Sequence, residues 1–317
     1  MLWVFLFVAT MLWGNPYFIS FPEKTEISNE DYVTIQEELR KVNIEPLLEA
    51  LYPKSQGFAD FGDFLSRCSR GLRQTLIDEE RGLLPLAKFE KINKGGPWCI
   101  VTSIPQNEKY INFAEAIPNA LRESSFDGYY LCYFGKWPNP NGREIKYVGV
   151  PYSFKVFMVL EAYKLGFDQV LWIDSALLPL KNPDFIFREI EEKGGFLTGW
   201  CAHSALWRYI LPSTRDLLYD LTGVDVLNTF YICTRVFGLN MKREETWRFI
   251  REYERFTKLG TPFLSCYPEE FVFTAILGNS EYQSWARYFG YQIFQDEQDV
   301  KSLESKINDL FFLQRVH

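Results

Sequence analysis

The sequence predicts an α/β protein built on a mostly parallel sheet, and three observations predict it. Short β-branched and aromatic runs alternate with helical stretches of roughly 10 to 18 residues, the signature of strands joined by crossover helices. Gly, Pro and Asn fall between the runs, where turns and helix caps need them. The chain has 317 residues, 47% of them hydrophobic and 17% aromatic. That is enough apolar mass for a packed core and too much for a disordered chain.

Each element follows in order. From Lys24 to about residue 96 the text is helical in character: IQEELRKVNIEPLLEALY and GDFLSRCSRGLRQTLIDEERGLLPL carry apolar residues at three-to-four spacing. Lys94-Gly95-Gly96-Pro97 ends that rhythm. CIVTSI (99–104) and YYLCYFG (129–135) read as strands around a helical stretch ending in NALRESS. SFKVFMVLEAYKLG predicts a helix capped by Gly166, and QVLWID a buried strand. Asn182 before Pro183 predicts an N-cap for DFIFREIEEK, which Gly194-Gly195 closes. FLTGW is a further strand. Ser213-Thr214-Arg215-Asp216 reads as a capping box opening a helix that Gly223 ends. TFYICTRVFGLN reads as extended, KREETWRFIREYERFTKL as an amphipathic helix, and PEEFVFTAIL as the last clear helix. The division is thus a hydrophobic segment over 1–22, a helical extension over 23–96 and an α/β domain over 97–317.

Residues 1–22 hold no charged side chain, and MLWVFLFVATMLW is an apolar run. Its length suits a signal-peptide core of about 7 to 15 residues better than a spanning helix of about 20. No basic residue precedes it and no A-x-A site follows, so anchor, signal and docked segment all stay open. The expected location is a membrane or the secretory pathway, with the cytoplasm as the alternative.

Charge and rare residues exclude whole classes. Thirty-four Lys and Arg against 41 Asp and Glu leave a net charge of −7, with no basic field for a nucleic-acid polymer. Only two histidines occur, His203 and the terminal His317, which nearly removes His-dependent triads and His-rich zinc sites. The six cysteines lack a C-x-x-C pair and read as buried, reduced thiols.

In α/β folds the ligand sits at the carboxyl ends of the strands. There VLWIDSA ends an apolar strand on Asp174, whose carboxylate suits a hard cation such as Mn or Mg, although a strand-terminal Asp is also a common turn residue. Lys155 lies in the first turn of its helix, where the dipole disfavours a cation unless an anion is close. With Tyr152 it reads as a phosphate-facing pair, against the plain alternative of a lysine pointing into water.

These residues carry a resemblance. PYSFKVFMVLEAYKLGFDQVLWIDSALLPLKNPDFIF (151–187) resembles the core of nucleotide-sugar glycosyltransferases of the GT-A type, with looser likeness from 97 to 295. The resemblance implies a GT-A-like sheet and makes Asp174 the first aspartate of a D-x-D motif, which holds a donor diphosphate through a divalent metal. It makes Tyr152, Lys155, Asp174, Ser175 and Arg235 donor-binding residues. Ala176 stands where the motif has its second acid, so one hard oxygen ligand and one charge are lost, and Lys155 and Arg235 become the cations expected to face the leaving diphosphate. Glu269 and Glu270 fall where a general base or a stabiliser of an oxocarbenium-like centre is expected, or are dipole-complementing acids. Trp200 and His203 are expected on the acceptor side or in plain packing roles.

Two readings follow. One is a glycosyltransferase with a nucleotide sugar and a glycan, lipid or protein acceptor as partners. The other is a non-catalytic binding or assembly protein on the same fold, supported by Ala176. A sugar-nucleotidyltransferase fits less well, because no Gly-rich phosphate loop follows CIVTSI.

Overall fold

In the computed structural model the described residues are 86–104, 108–134, 153–201, 204–259, 261–263, 265, 267–288, 294–296 and 311–314. Residues 1–22, most of the helical extension, Tyr152 and His203 lie outside them. Among the described residues no helix is long and apolar enough to cross a membrane.

The strands are β1 (Leu86–Ile92), β2 (Trp98–Ile104), β3 (Gly128–Phe134), β4 (Gln169–Ile173), β5 (Leu177–Pro179), β6 (Gly195–Cys201), β7 (Phe230–Asn240), β8 (Ala286–Tyr288), β9 (Phe294–Asp296) and β10 (Phe312–Gln314). The helices are α1 (Glu108–Glu123), α2 (Phe154–Lys164), α3 (Asp184–Lys193), α4 (Pro212–Thr222), α5 (Glu244–Leu259) and α6 (Pro268–Leu277). Seven strands form one sheet in the order β1-β3-β2-β4-β7-β6-β8, and β5-β10-β9 form a small second one. In the large sheet only β1 and β7 run against the other strands. The α/β class with a mostly parallel mixed sheet is therefore what the chain adopts.

Alternation places the core on both faces. Cys99, Val101, Val170 and Trp172 pack with α2, α4, α5 and α6, whereas Ile100, Leu171 and Ile173 pack with α1, α3 and β5. Strands buried on both sides read as continuous apolar runs, which is why CIVTSI and QVLWI stood out in the sequence. The described cysteines Cys99, Cys132 and Cys233 are free and buried.

Two helix starts and one strand differ from expectation. Leu86–Ile92 was assigned to the helical extension but pairs antiparallel with β3 along its whole length, so the sheet begins by residue 86. Its charged Lys88, Glu90 and Lys91 suit an edge strand, and strand pairing outweighs a weak helical period. No capping box opens α4: the helix starts at Pro212, after Leu211 in the β region, and Thr214 is buried. α3 starts at Asp184 with Pro183, not Asn182, at its cap position, and the Asn182 carboxamide accepts from the Asp184 N–H at 2.9 Å from one residue further out. Gly166, Gly194 and Gly223 follow their helices with φ of 98°, 95° and 72°.

Candidate active site

The carboxyl edge of the parallel strands gathers four chain segments. Asp174 follows β4, α2 and α6 point their first turns toward it, and β7 crosses between them. In β7 the ladder with β6 jumps from Leu197 opposite Phe237 to Thr198 opposite Cys233. Thr234, Arg235 and Val236 thereby bulge from the β6 pairing, and the Thr198 hydroxyl lies 3.1 Å from the Cys233 carbonyl and 3.0 Å from the Val236 carbonyl. Bulges of this kind re-aim residues beside functional sites. Here the bulge presents the Arg235 carbonyl to the Asp174 N–H at 2.8 Å and aims Thr234 at Lys155.

Lys155 does not point into water. It is buried at 4% exposure, and its Nζ lies 3.0 Å from Asp174 Oδ1, 2.9 Å from Glu269 Oε1 and 3.1 Å from Thr234 Oγ1. An ammonium has three protons, and each has an acceptor here. The Thr234 hydroxyl, accepting from Lys155, donates to Glu269 Oε1 at 3.0 Å. The Trp172 indole N–H donates to the same Asp174 Oδ1 at 3.0 Å, and the Lys155 Nζ stands 5.8 Å from the Trp172 ring centroid. Burial works against the lysine's charge, but Asp174 and Glu269 outweigh it and hold the ammonium well above its usual range. The anion that a first-turn lysine requires is thus supplied by the protein's own carboxylates.

Glu270 is set apart from its neighbour. Successive helix residues point about 100° apart, so when Glu269 faces Lys155 its neighbour faces elsewhere. Glu270 meets Tyr231, whose hydroxyl donates to its Oε2 at 2.8 Å. Burial, then the charge of Glu269, push the Glu270 carboxyl up to about 7, with Lys155, Arg235 and the Tyr231 hydrogen bond opposing. Two adjacent acids are therefore split into an ion-paired carboxylate and one poised near neutrality, a separation that marks functional sites. Trp200, the expected acceptor-side tryptophan, tilts against the ring of Tyr231 with centroids 5.1 Å apart. Ser175 is buried next to Asp174.

The structure brings together Lys155, Asp174, Glu269 and Glu270 and places Arg235 on the bulge between them. It adds Trp172, Tyr231, Thr234 and Thr198, which sequence reasoning did not select. No residue type in TFYICTRVFGLN marks a bulge, so only strand register reveals them. A divalent cation does not fit the residues in this arrangement. Asp174 Oδ1 already accepts from two donors, Ala176 offers no oxygen on its side chain, and no group of three or more His, Cys, Asp or Glu is placed to hold a metal among the described residues.

No protein-family model matches the chain, and no curated protein matches it. Among solved structures it is similar to the galactosyltransferase LgtC in complex with donor and acceptor sugar analogs, at 11% identity and a TM-score of 0.40, covering 69% of this chain and 87% of that one. It is similar to a glycosyltransferase involved in glycosylation of the major capsid of PBCV-1, at 13% identity and 0.41, covering 68% and 92%. A third is the mannosyltransferase Ktr4p from S. cerevisiae, at 10% identity and 0.40, covering 78% and 84%.

Proposed function

We propose that the chain is a glycosyltransferase that moves a sugar from a nucleotide-diphosphate donor to an acceptor hydroxyl, with a hexose as the sugar class and the donor diphosphate beside Asp174 and Lys155. The observation that carries the reading is the pairing of unlike carboxyl groups at the sheet's carboxyl edge: Glu269 locked to Lys155, and Glu270 poised near pH 7 beside it. The motif around Asp174 supplies the donor class.

The geometry supports the following roles. Glu270, oriented by Tyr231, takes the proton from the acceptor hydroxyl as that oxygen bonds to the sugar's anomeric carbon. The bond from that carbon to the donor phosphate oxygen breaks, and its electron pair stays on the diphosphate. Negative charge grows there, so fixed positive charge must face it, and Arg235 on the bulge is the residue assigned to this task. Asp174 lies beside the donor and Trp200 offers the acceptor an aromatic face. No step is routed through a metal.

A second reading, a binding or assembly protein without turnover, is favoured by one observation: every proton of Lys155 is taken up by the protein itself. Calorimetric titration of UDP- and GDP-sugars separates the two. The enzyme reading expects saturable binding of one nucleotide sugar and slow release of its sugar into water. Binding without any release supports the second reading, and no binding at all overturns both.

A further inference from the structure

The Lys155 ammonium stands 3.0 Å from Asp174 Oδ1, in direct contact with the carboxylate that a divalent cation would need. Its surroundings are all hard oxygens: Asp174 Oδ1 at 3.0 Å, Glu269 Oε1 at 2.9 Å, Thr234 Oγ1 at 3.1 Å and the Thr234 carbonyl at 3.4 Å. Carboxylate, hydroxyl and carbonyl oxygen form the donor set that Mg or Mn takes. Lys155 and Glu269 are buried and Asp174 keeps 30% of its side chain exposed, so the buried Glu269 carboxylate needs a cation beside it, and the chain supplies one covalently.

The position is fixed from several sides. Lys155 lies on α2, Glu269 on α6, Asp174 after β4 and Thr234 on the β7 bulge, so no single loop movement opens the cluster. The Trp172 ring and its indole N–H hold Asp174 Oδ1 toward the lysine. Ala176, which removes one acidic ligand, and Lys155, which fills the space between the remaining acids, are two separate features with one effect.

We infer that Lys155 is a built-in counter-cation that replaces the divalent metal at Asp174, and that nucleotide binding at this site is independent of divalent cations. The nucleotide half of the inference rests on the proposed function. The metal half does not. A corollary concerns the empty space left by truncation: Lys155→Ala exposes Asp174, Glu269 and Thr234 to one another and converts the site into one that takes up Mg or Mn from solution.

The test uses the full-length chain and three measurements. Mn(II) titration followed by its electron paramagnetic resonance signal should show no stoichiometric site in the wild type. UDP affinity, measured by calorimetry, should change less than about two-fold between Mn and EDTA. Lys155→Ala should melt at a lower temperature and recover saturably with millimolar Mn, and adding Asp174→Asn to that variant should remove the recovery. One Mn bound per wild-type chain and lost in Asp174→Asn overturns the inference, as does a ten-fold gain in UDP affinity with Mn. A folded Lys155→Ala with no response to Mn also overturns it. If Lys155→Ala does not fold, the wild-type resonance titration still decides the metal half. If neither UDP nor GDP binds under either condition, the proposed function fails while the metal half stands or falls on Mn alone.

Discussion

Lys155, in the first turn of α2, and Glu269, in the first turn of α6, meet at 2.9 Å over the carboxyl edge of the sheet. This contact ties two helices that pack on the same sheet face.

The contact predicts an asymmetry between variants. Lys155→Met leaves the buried Glu269 and the partly exposed Asp174 without their cation and should lower stability by about 3–5 kcal/mol. Asp174→Asn touches a carboxylate that keeps 30% of its side chain exposed and leaves the Lys155–Glu269 pair standing. Its cost should be about 1 kcal/mol, in the range of a single hydrogen-bond partner weakened. Adding Glu269→Gln to Lys155→Met should restore part of the loss. Urea denaturation of the three variants checks this, and equal losses for Lys155→Met and Asp174→Asn would contradict it.

Glu270 predicts a pH dependence of fixed sign. Its carboxyl is raised from 4.5 to about 7 in the folded state. Between those values the folded chain holds a proton that the unfolded chain has released, so this group's contribution to stability is present at low pH and lost as pH rises through the window. Glu270→Gln should flatten that part of the curve and make the variant the more stable protein above pH 7, by on the order of 2 kcal/mol. In turnover the same group acts in its ionised form, so the rate should rise with pH and level off above about 7. Melting curves from pH 5 to 9 decide the first part: a Glu270→Gln curve parallel to wild type refutes it.

Much of this site was legible in the sequence, and the parts that were not share a cause. Asp174, Lys155, Glu269 and Glu270 announce themselves because each sits where secondary structure ends, at a strand's carboxyl end or in a helix's first turn. The rule that a first-turn lysine needs an anion was sound, but the anions came from β4 and α6 of the same chain. Thr234 and Tyr231 lie inside the mostly apolar strand β7, and their roles depend on a register shift against β6 that local composition does not encode. β1 was hidden for a related reason: an edge strand with alternating charges reads as a helix until its partner is known.

Tyr231 should act through Glu270 alone. Its hydroxyl donates to the ionised carboxylate and so holds the Glu270 titration down. Tyr231→Phe should move the pH–rate midpoint upward by about 1 to 2 units while leaving the high-pH plateau near the wild-type value, because a hydrogen bond to a charged group contributes about 1.5–3 kcal/mol and one pKa unit corresponds to about 1.4 kcal/mol. A midpoint that moves down, or a rate lost equally at every pH, would show that Tyr231 has another role.

Gly199 is a structural requirement for the same pair. A Cβ at that position would stand 2.0 Å from the Tyr231 carbonyl and 2.8 Å from the Phe230 ring, and backbone cannot retreat as a side-chain tip can. Gly199→Ala should therefore displace β7 where Tyr231 leaves it and cost about 1–3 kcal/mol, as overpacking of a closed core does. Thermal denaturation gives the cost. A variant as stable as wild type would mean the strands separate more easily than this packing implies.

The central claim is that the cluster around Asp174 carries out sugar transfer. Release of free sugar from UDP- and GDP-sugars by wild type and by Asp174→Asn, with both melting temperatures recorded, tests it most directly. Wild type should release sugar slowly and the variant at least about 100-fold less, the scale expected when a preorganised group beside the reacting centre is removed. Undiminished release by a folded Asp174→Asn would place the chemistry elsewhere in the molecule.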